Sequence, residues 1–179
     1  MPEIEIRPAI DTDIPKLIAL DHNYTTDTVW QMDIQQDEGQ IGVSFRQTRL
    51  PRSARVEYPR AAASLADDWT ERSGLLVAVL AEDVVGYISL RQDIAPITSW
   101  ATDLVVMRRV RRQGIGSALV LAAQDWTKQH DSYRMVLEMQ PKNYPAICLA
   151  IKLGFDFCGY NDRYYANHDI ALFFAKPLH

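Results

Sequence analysis

The sequence predicts a mixed α/β protein of one domain, and three observations carry that prediction. The 179 residues suit one domain, because a chain of this length buries roughly 70% of the surface that it exposes when unfolded. Apolar residues make up 47% of the chain and charged residues 23%, the usual balance of a domain that folds in water. Strand and helix patterns alternate along the chain, with a strand–helix–strand–helix order near the centre and no repeat or linker-like segment between them.

The first seventy residues predict a strand, a helix, a hairpin and a second helix. Residues 4–10 alternate apolar and polar side chains, as a half-buried strand does. Residues 11–24 follow with a capping Asp or Thr, Pro15 in the first turn and apolar residues at helical spacing. Two alternating runs on either side of residues 35–40 indicate a β-hairpin. Residues 58–72 have a helical pattern.

The rest of the chain predicts a sheet interleaved with two longer helices. Two central antiparallel strands occupy residues 74–90 and are joined by a tight turn at Glu82 and Asp83. The elements expected after them are a strand at 99–107, a helix at 114–130, a strand at 134–140, a helix at 144–154 closed by Gly154, and strands at about 155–165 and 170–176.

A cluster of positive charge follows the third of these strands. The stretch RRVRRQGIG, residues 108–116, holds four arginines and two glycines in a chain whose net charge is −4. Because the next helix begins near Gly116, its unpaired N–H groups and the positive end of its dipole form a natural anion site. Gly114 and Gly116 let the backbone approach an anion closely, while Arg111 and Arg112 add charge-assisted contacts. The turn predicts a phosphate site, although a solvated basic turn fits the same residues.

Several other classes of phosphate-binding protein do not fit this turn. A dinucleotide-binding motif requires a third glycine where Leu119 stands, and a P-loop requires a Gly-Lys-Ser/Thr run that is missing from this sequence. A net negative chain with one basic turn also argues against a nucleic-acid partner, which requires a basic face. No apolar run approaches the ~20 residues that cross a bilayer, so we expect no membrane partner.

The turn and its neighbours resemble the GNAT superfamily of N-acetyltransferases. RRQGIG is similar to the superfamily's R/Q-x-x-G-x-G/A turn, and the strand and helix around it match, as do the Leu-Glu, Asn and closing Gly-Phe of residues 137–155. The likeness covers about residues 74–178, the expected acetyl-CoA core. It is strongest to streptothricin acetyltransferases, with a second likeness to N-terminal acetyltransferases of ribosomal proteins. It implies a mostly antiparallel sheet of about seven strands with helices on both faces, and makes residues 23–60 a variable acceptor-side segment.

The resemblance also implies which residues hold acetyl-CoA, the acetyl donor. The strand residues Leu104, Val105 and Val106 would offer backbone groups to the pantetheine arm, as an added strand would pair with them. Asn143 would lie near the pantetheine or the thioester. The pyrophosphate would be held by the turn, that is by Arg111, Arg112, Gln113, Gly114, Ile115, Gly116 and Ser117. No metal is implied.

Acetyl transfer to an amine requires a neutral nucleophile, a stabilised oxyanion and a proton for the departing thiolate. Glu138 matches the position of a catalytic glutamate in the ribosomal-protein enzymes and is our candidate base, with a structural ion pair as the alternative. Asp103, just before the pantetheine strand, is the rival base, or a residue that positions a cationic substrate. A backbone N–H of residues 104–106 would stabilise the oxyanion.

The proton donor to sulfur departs from the family pattern. The tyrosine usual four residues before the closing glycine is replaced by Ala150. Tyr144, Tyr164 and Tyr165 are alternative donors, and Tyr165 is preferred because it lies in a segment that resembles the streptothricin enzymes. On a strand, Tyr164 and Tyr165 would point to opposite faces, so only one would matter. Water could also protonate the sulfur, and a protein that binds acyl-CoA without turnover stays an alternative.

The acceptor is the largest gap in the sequence prediction. A streptothricin-like or polyamine substrate, which would imply antibiotic resistance in the first case, is the main expectation, with a protein N-terminus as the alternative. Acidic residues around Trp30 would favour a cationic amine if the hairpin borders the acceptor groove, although a solvated acidic face fits as well; they are Asp27, Asp33, Asp37 and Glu38. The sequence does not decide the oligomeric state, and a homodimer is one option.

The N-terminus and the cysteines bear on the compartment. The first eight residues carry two glutamates and no long apolar stretch, so they do not resemble a targeting peptide, and a cytoplasmic location is expected. Cys148 and Cys158 have no histidine at metal-like spacing and form no disulfide framework, so both are interpreted as buried apolar residues.

Overall fold

The computed structural model describes residues 3 to 179; Met1 and Pro2, which the sequence assigned to the start of the domain, lie outside the described residues. The strands, in chain order, are β1 (Ile4–Pro8), β2 (Tyr24–Asp37), β3 (Gln40–Val56), β4 (Gly74–Leu80), β5 (Asp83–Arg91), β6 (Thr98–Val106), β7 (Arg134–Met139), β8 (Asp156–Asn161) and β9 (Ala171–Pro177). The helices are α1 (Ile14–Ile18), α2 (Leu65–Asp68), α3 (Ile115–Gln129) and α4 (Tyr144–Lys152), with 3₁₀ turns at Asp11–Asp13, Ala62–Ser64 and Arg108–Val110.

Seven of these strands form one sheet in the order β1-β4-β5-β6-β7-β9-β8. Every neighbouring pair is antiparallel except β6 and β7, which run parallel because α3 connects them as a crossover. The predicted mixed α/β class, with a mostly antiparallel sheet of about seven strands, is therefore confirmed.

Helices pack on both faces of this sheet because the central strands are apolar on both sides. On β4, Leu76 and Ala78 join a core that includes side chains of α3 and α4. Leu75 and Val77 point the other way, into a second core shared with α1 and α2. Strands that bury both faces read as continuous apolar runs, which explains the GLLVAVL sequence of β4.

The two predicted N-terminal helices are much shorter than expected. The first ends at Ile18 instead of continuing to Tyr24, because the carbonyls of Asp21 and Asn23 are fixed by the guanidinium of Arg111 and Tyr24 already begins β2. The second covers only Leu65–Asp68 with a preceding 3₁₀ turn. Before it, Tyr58 and Arg60 lie in an irregular segment and direct their side chains to Asp103 and Glu138.

The predicted hairpin is present as a separate two-stranded sheet of β2 and β3, longer than the sequence suggested. It is anchored to the body by a backbone hydrogen bond from Trp30 N to Pro141 O of 3.0 Å. Phe45 packs against Phe157 and Tyr160, with ring centroids 5.4 Å from each. The hairpin therefore lies over the ends of β7 and β8.

Two further boundaries differ from the sequence prediction. The tight turn before β5 is Ala81-Glu82 instead of Glu82-Asp83, and both residues have positive φ, 49° and 70°, as a two-residue hairpin turn requires. The strand expected to reach residue 165 ends at Asn161. Tyr164 and Tyr165 lie in a loop, where the backbone N–H groups of both donate to Asp169 O.

Candidate active site

An opening in the sheet between β6 and β7 is the main feature of the site. The parallel register runs from Thr98↔Arg134 to Ala101↔Leu137 and then stops. Among the described residues, 102–106 pair with β5 alone, so the backbone groups of Leu104 and Val106 that face away from β5 have no strand partner. Of these groups, Val106 O accepts a hydrogen bond from Arg111 Nε. A free strand edge of this kind can pair with an extended, amide-containing ligand.

The glycine turn lies at one end of this opening, at the start of α3. Gly114 is the residue before the helix and has φ +85°, and Arg112 has φ +63°, so the backbone makes a sharp left-handed turn. The first N–H donor in α3 that bonds back is Ala118 N, to Gly114 O at 3.0 Å. The N–H groups of residues 115–117 are the unpaired donors of a helix start, and Gln113 is exposed beside them.

Gly116 keeps α3 and α4 close together. A Cβ added there would meet Leu149 Cδ2 at 3.3 Å, so the glycine is required by the approach of the two helices as well as by any ligand. Gly114 is different, because an added Cβ would meet nothing within 4 Å. The space beside Gly114 is therefore open.

Arg111 does not fit the phosphate role that the sequence suggested. Its guanidinium donates to the carbonyls of Val106 at 2.7 Å, Asn23 at 3.0 Å and Asp21 at 2.7 Å. Its backbone N–H donates to Arg108 O. Arg111 therefore joins the end of β6 to the segment before β2. The arginines of the turn therefore have different environments. Arg109 lies 3.7 Å from Asp83, while Arg112 is exposed.

A narrow cleft of about 40 Å³ lies at this opening, between β6, the last residues of β7 and the first half of α4. Asn143 lies on its wall, where Oδ1 accepts a hydrogen bond from Ala146 N at 3.2 Å and caps α4. Leu104, Glu138 and Tyr165 also line it. A larger cleft of about 700 Å³ lies between the hairpin and the β8–β9 loop and includes Trp30 and Asp169.

Glu138 lies at the end of the narrow cleft, with its side chain fully buried. Oε1 accepts a hydrogen bond from Arg60 Nη2 at 2.5 Å. Oε2 accepts from Trp100 Nε1 at 2.8 Å and from the Tyr164 hydroxyl at 3.1 Å. The structural ion pair that the sequence left as the alternative to a catalytic base is therefore present, and it occupies one carboxylate oxygen.

Asp103 is buried on β6 and is surrounded by donors. Its Oδ1 accepts a hydrogen bond from the Tyr58 hydroxyl, and its Oδ2 accepts from Arg72 Nη1 and from Thr102 Oγ1, both at 3.0 Å. Arg60 Nη1 lies 3.7 Å away. Asp103 does not line the narrow cleft, although its neighbours Tyr58 and Thr102 do.

Arg60 is the functional-site residue that sequence reasoning missed. It connects Glu138 with the carbonyl of Thr102, to which its Nη1 donates at 2.8 Å, and its guanidinium lies 5.1 Å from the centre of the Tyr165 ring. No local pattern marked it, because its partners lie 42 and 78 residues further along the chain.

The tyrosines are arranged differently from the strand-based expectation. Tyr164 and Tyr165 both border Glu138, because a loop does not alternate its side chains as a strand does. Burial, followed by the charge of Glu138, raises the pKa of both hydroxyls, so both stay neutral. Tyr144 lies outside the cleft, with its hydroxyl 3.5 Å from Gln47 Nε2 of the hairpin. Ala150 is fully buried in the core.

Other residues from the sequence prediction lie away from both clefts. The four acidic hairpin residues do not line the larger cleft, although Trp30 does. Cys148 and Cys158 are exposed, so the prediction of two buried cysteines is wrong; each lies on the outer side of its element. Within residues 3–179 no cluster of His, Cys, Asp or Glu could hold a metal, and no helix is both long and apolar enough to cross a membrane.

Residues 44–155 match the family model described as the acetyltransferase (GNAT) family. The chain belongs to this family. A streptothricin acetyltransferase from Streptomyces lavendulae is 27% identical over 97% of this chain and 94% of its own length. An N-alpha-acetyltransferase from Saccharolobus solfataricus is 32% identical over 57% of this chain and 68% of its own length. The predicted family and its likeness to streptothricin acetyltransferases are therefore confirmed, and the second likeness holds at the coarser level of an N-alpha-acetyltransferase.

Solved structures of this GNAT family share the fold over nearly the whole chain. A nourseothricin acetyltransferase superposes with a TM-score of 0.82 at 22% identity, covering 98% of this chain and 99% of its own. A protein from Bacillus anthracis described as a streptothricin acetyltransferase, solved in complex with acetyl coenzyme A, has a TM-score of 0.75 at 18% identity over 98% and 100%. Other acetyltransferases therefore share the fold of nearly the whole chain.

Proposed function

We propose that this GNAT acetyltransferase moves an acetyl group from acetyl-CoA to a primary amine of a small cationic molecule, directly and within one ternary complex. The observation that carries the proposal is the opening between β6 and β7, which joins an anion-binding helix start at one end to a buried carboxylate at the other. A ligand with a diphosphate, an extended amide arm and a thioester has these features in the same order.

The donor half of the cleft would hold acetyl-CoA mainly through backbone groups. The pyrophosphate would accept hydrogen bonds from the N–H groups of Arg112 to Ser117, next to the open space at Gly114. The pantetheine amides would pair with the free edge of Leu104–Val106. Asn143 would border the thioester, where its side chain also caps α4.

The chemistry follows from the groups at the Glu138 end. The neutral amine nitrogen forms a bond to the acetyl carbon, an N–H group of residues 104–106 binds the oxyanion, and the C–S bond then breaks. Glu138 would take the proton that the nitrogen loses, directly or through water. Water can return a proton to the sulfur, because a thiol with a pKa of about 8.5 is a fair leaving group without a protein donor. Tyr165 would position the acceptor through its neutral hydroxyl.

The acceptor class is proposed from the relatives and from the larger cleft. Similarity to a streptothricin acetyltransferase along nearly the whole chain supports a streptothricin-like or polyamine acceptor. The 700 Å³ cleft beside the hairpin is of the size that holds a small molecule. Similarity to an N-alpha-acetyltransferase supports a protein N-terminus as the second candidate, since the same cleft could take an extended peptide.

A panel of acceptors tests the proposal. The protein and acetyl-CoA are mixed with one acceptor at a time: streptothricin, spermidine, an aminoglycoside or a short peptide. The release of free thiol is measured, and the mass of each product is determined by mass spectrometry. We expect thiol release and an added acetyl group with a cationic small molecule. Acetylation of the peptide alone would favour the second candidate. Binding of acetyl-CoA with no thiol release would show a non-catalytic acyl-CoA-binding protein.

A further inference from the structure

Arg60 is a mostly buried guanidinium at the catalytic end of the cleft, and neither the binding of acetyl-CoA nor the acetyl-transfer steps above use it. Its side chain is 30% exposed, whereas the carboxylate of Glu138 that it contacts is fully buried. The contact is direct, with Nη2 2.5 Å from Oε1. The same guanidinium is fixed from a second side by Thr102 O at 2.8 Å and lies over the ring of Tyr165.

The charges around Arg60 are balanced. Two buried carboxylates, Asp103 and Glu138, face two arginines, Arg60 and Arg72. The remaining ionisable groups that face these four residues are neutral or partly exposed. Asp68, whose side chain is 38% exposed, lies 3.1 Å from Arg72. The others are Tyr58, Tyr87, Tyr164, Tyr165 and His22. The cluster of two carboxylates and two guanidiniums therefore has no net charge while its tyrosines and histidine stay neutral.

The neighbouring groups do stay neutral near physiological pH. Burial raises the pKa of Tyr58 and of Tyr165, and it lowers the pKa of His22. Burial alone would lower the pKa of Arg60, but the charges of Asp103 and Glu138 outweigh it, so that pKa is raised and Arg60 stays charged. The positive charge of Arg60 is therefore a permanent part of the cleft.

The positive charge of Arg60 matters because the acceptor amine is protonated in water and must lose a proton before it can react. A primary alkyl amine has a pKa of about 10.4 and is an ammonium ion in water at neutral pH. A buried carboxylate with no partner would bind that ammonium tightly, since an isolated buried charge is costly. The nitrogen of an ammonium ion has no lone pair and cannot attack the thioester. A positive charge beside the bound amine instead favours its neutral form.

We propose that Arg60 is a positioning residue that holds the Glu138 carboxylate in place and, through its charge, makes the cleft bind the acceptor as the neutral amine. This inference rests on the proposed acetyl transfer. The ammonium loses one proton to solvent as it enters, and the neutral nitrogen attacks the acetyl carbon. The second proton leaves the nitrogen for Glu138 or a water molecule, and the C–S bond breaks to give the thiol after protonation by water.

The test is the pH dependence of kcat at saturating acceptor, which reports ionisations in the bound complex. Streptothricin is the first probe, replaced by the panel acceptor that releases thiol if streptothricin does not. In the unaltered protein, kcat should rise with pH, and we expect the midpoint of this rising limb to lie at least about one pH unit below the solution pKa of the acceptor amine. A rising limb that coincides with the solution pKa would overturn the inference without any variant.

Substitutions then locate the cause. Arg60→Gln removes the charge, so we expect the rising limb to move up by about one pH unit or more, with kcat lost at pH 7 and partly regained at higher pH. The KM for the acceptor should not rise in proportion, because the ammonium can still bind Glu138. Arg60→Lys keeps the charge and should keep the limb in place while lowering kcat. Arg72→Gln, in the same buried cluster, is the control for lost stability and should leave the limb unmoved.

The possible results distinguish a failure of the inference about Arg60 from a failure of the proposed acetyl transfer. An unmoved limb in Arg60→Gln, with kcat reduced equally at every pH, would show that Arg60 has only a structural role and would overturn the inference. A limb that moves equally in Arg72→Gln would also overturn it, because the effect would then belong to the cluster and not to Arg60. Absence of thiol release from the unaltered protein with every acceptor would overturn the proposed function, and the inference with it.

Discussion

At the α3 end of the β6–β7 cleft the binding groups are backbone N–H groups with no partner, whereas at the Glu138 end they are side chains that already bind one another. Gly114 is exposed and has open space beside it. Glu138 accepts hydrogen bonds from Arg60, Trp100 and Tyr164. The α3 end, which we propose holds the donor, therefore has N–H groups free for a ligand, while the Glu138 end, which we propose is catalytic, is organised in advance by its own contacts.

Because the two ends differ in this way, we expect substitutions at one end to change the affinity for acetyl-CoA and substitutions at the other end to change kcat. Changes at the helix start should affect acetyl-CoA binding, because that end supplies hydrogen bonds to the ground state. Changes around Glu138 should affect turnover with little effect on acetyl-CoA affinity. The following predictions test whether the two ends separate in this way.

The largest expected effect is at the donor end, in Gly114→Glu. The new carboxylate would enter the open space where the pyrophosphate is proposed to lie, and like charges repel, so acetyl-CoA should no longer raise the melting temperature. Gly39→Glu is the matched control, because Gly39 also has positive φ and open space beside it, at the tip of the hairpin. An undiminished shift in Gly114→Glu would place the pyrophosphate elsewhere.

The next effect is at the catalytic end, in Glu138→Gln. The amide keeps the size of the side chain but cannot take a proton, so kcat should fall by roughly 10²- to 10⁴-fold. The Kd for acetyl-CoA, measured by calorimetry, should change little. Asp103→Asn serves as the comparison, since Asp103 accepts hydrogen bonds from Tyr58 and Arg72 but does not itself line the cleft. If Asp103→Asn loses turnover and Glu138→Gln does not, the base is Asp103.

A smaller effect is expected for the tyrosines around Glu138. Tyr165→Phe should lower kcat by up to about tenfold, because a hydrogen bond to the neutral acceptor contributes roughly 0.5–1.5 kcal/mol. Tyr164→Phe should lower it less, since Trp100 still donates to the same oxygen. Tyr144→Phe is the control and should have no effect. Equal activity in all three variants would remove tyrosine from the mechanism and leave water as the proton donor to the sulfur.

The smallest effect on activity is expected at Ala150. A tyrosine there would have to fit a fully buried position, and overpacking of this kind costs about 1–3 kcal/mol of stability. Ala150→Tyr should therefore melt at a lower temperature without releasing more thiol, while Ala150→Cys, which adds one atom, should resemble the original protein. A gain of thiol release in Ala150→Tyr would mean that the natural chain lacks a functional proton donor.

The donor end could be predicted from the sequence because it is local. The turn of residues 108–116, the helix after it and the start of the helix at residue 144 are contiguous patterns, and each was placed within a few residues. Arg111 is the exception, because its carbonyl partners on residues 21 and 23 are distant in the sequence. Backbone binding sites of this kind depend on local conformation, which glycine positions and helix starts encode directly.

The catalytic end could be predicted only in part because it is assembled from distant segments. Glu138 and Tyr165 were named from the resemblance, but Arg60 reaches them from the loop after β3, where a helix had been expected. The helix predicted at residues 58–72 is shorter than expected for the same reason. Tertiary contacts of Tyr58 and Arg60 outweigh the helical pattern at residues 58–61. The loop containing Tyr164 was misassigned to a strand because aromatic residues favour strands.

A structure of the protein with acetyl-CoA bound tests the account most directly. We predict that the pyrophosphate contacts the backbone of residues 112–117, that the pantetheine arm lies along Leu104–Val106 in place of a β7 partner, and that the thioester ends near Asn143 and Glu138. Acetyl-CoA bound outside the β6–β7 opening, or with its thioester at the end remote from Glu138, would contradict the account.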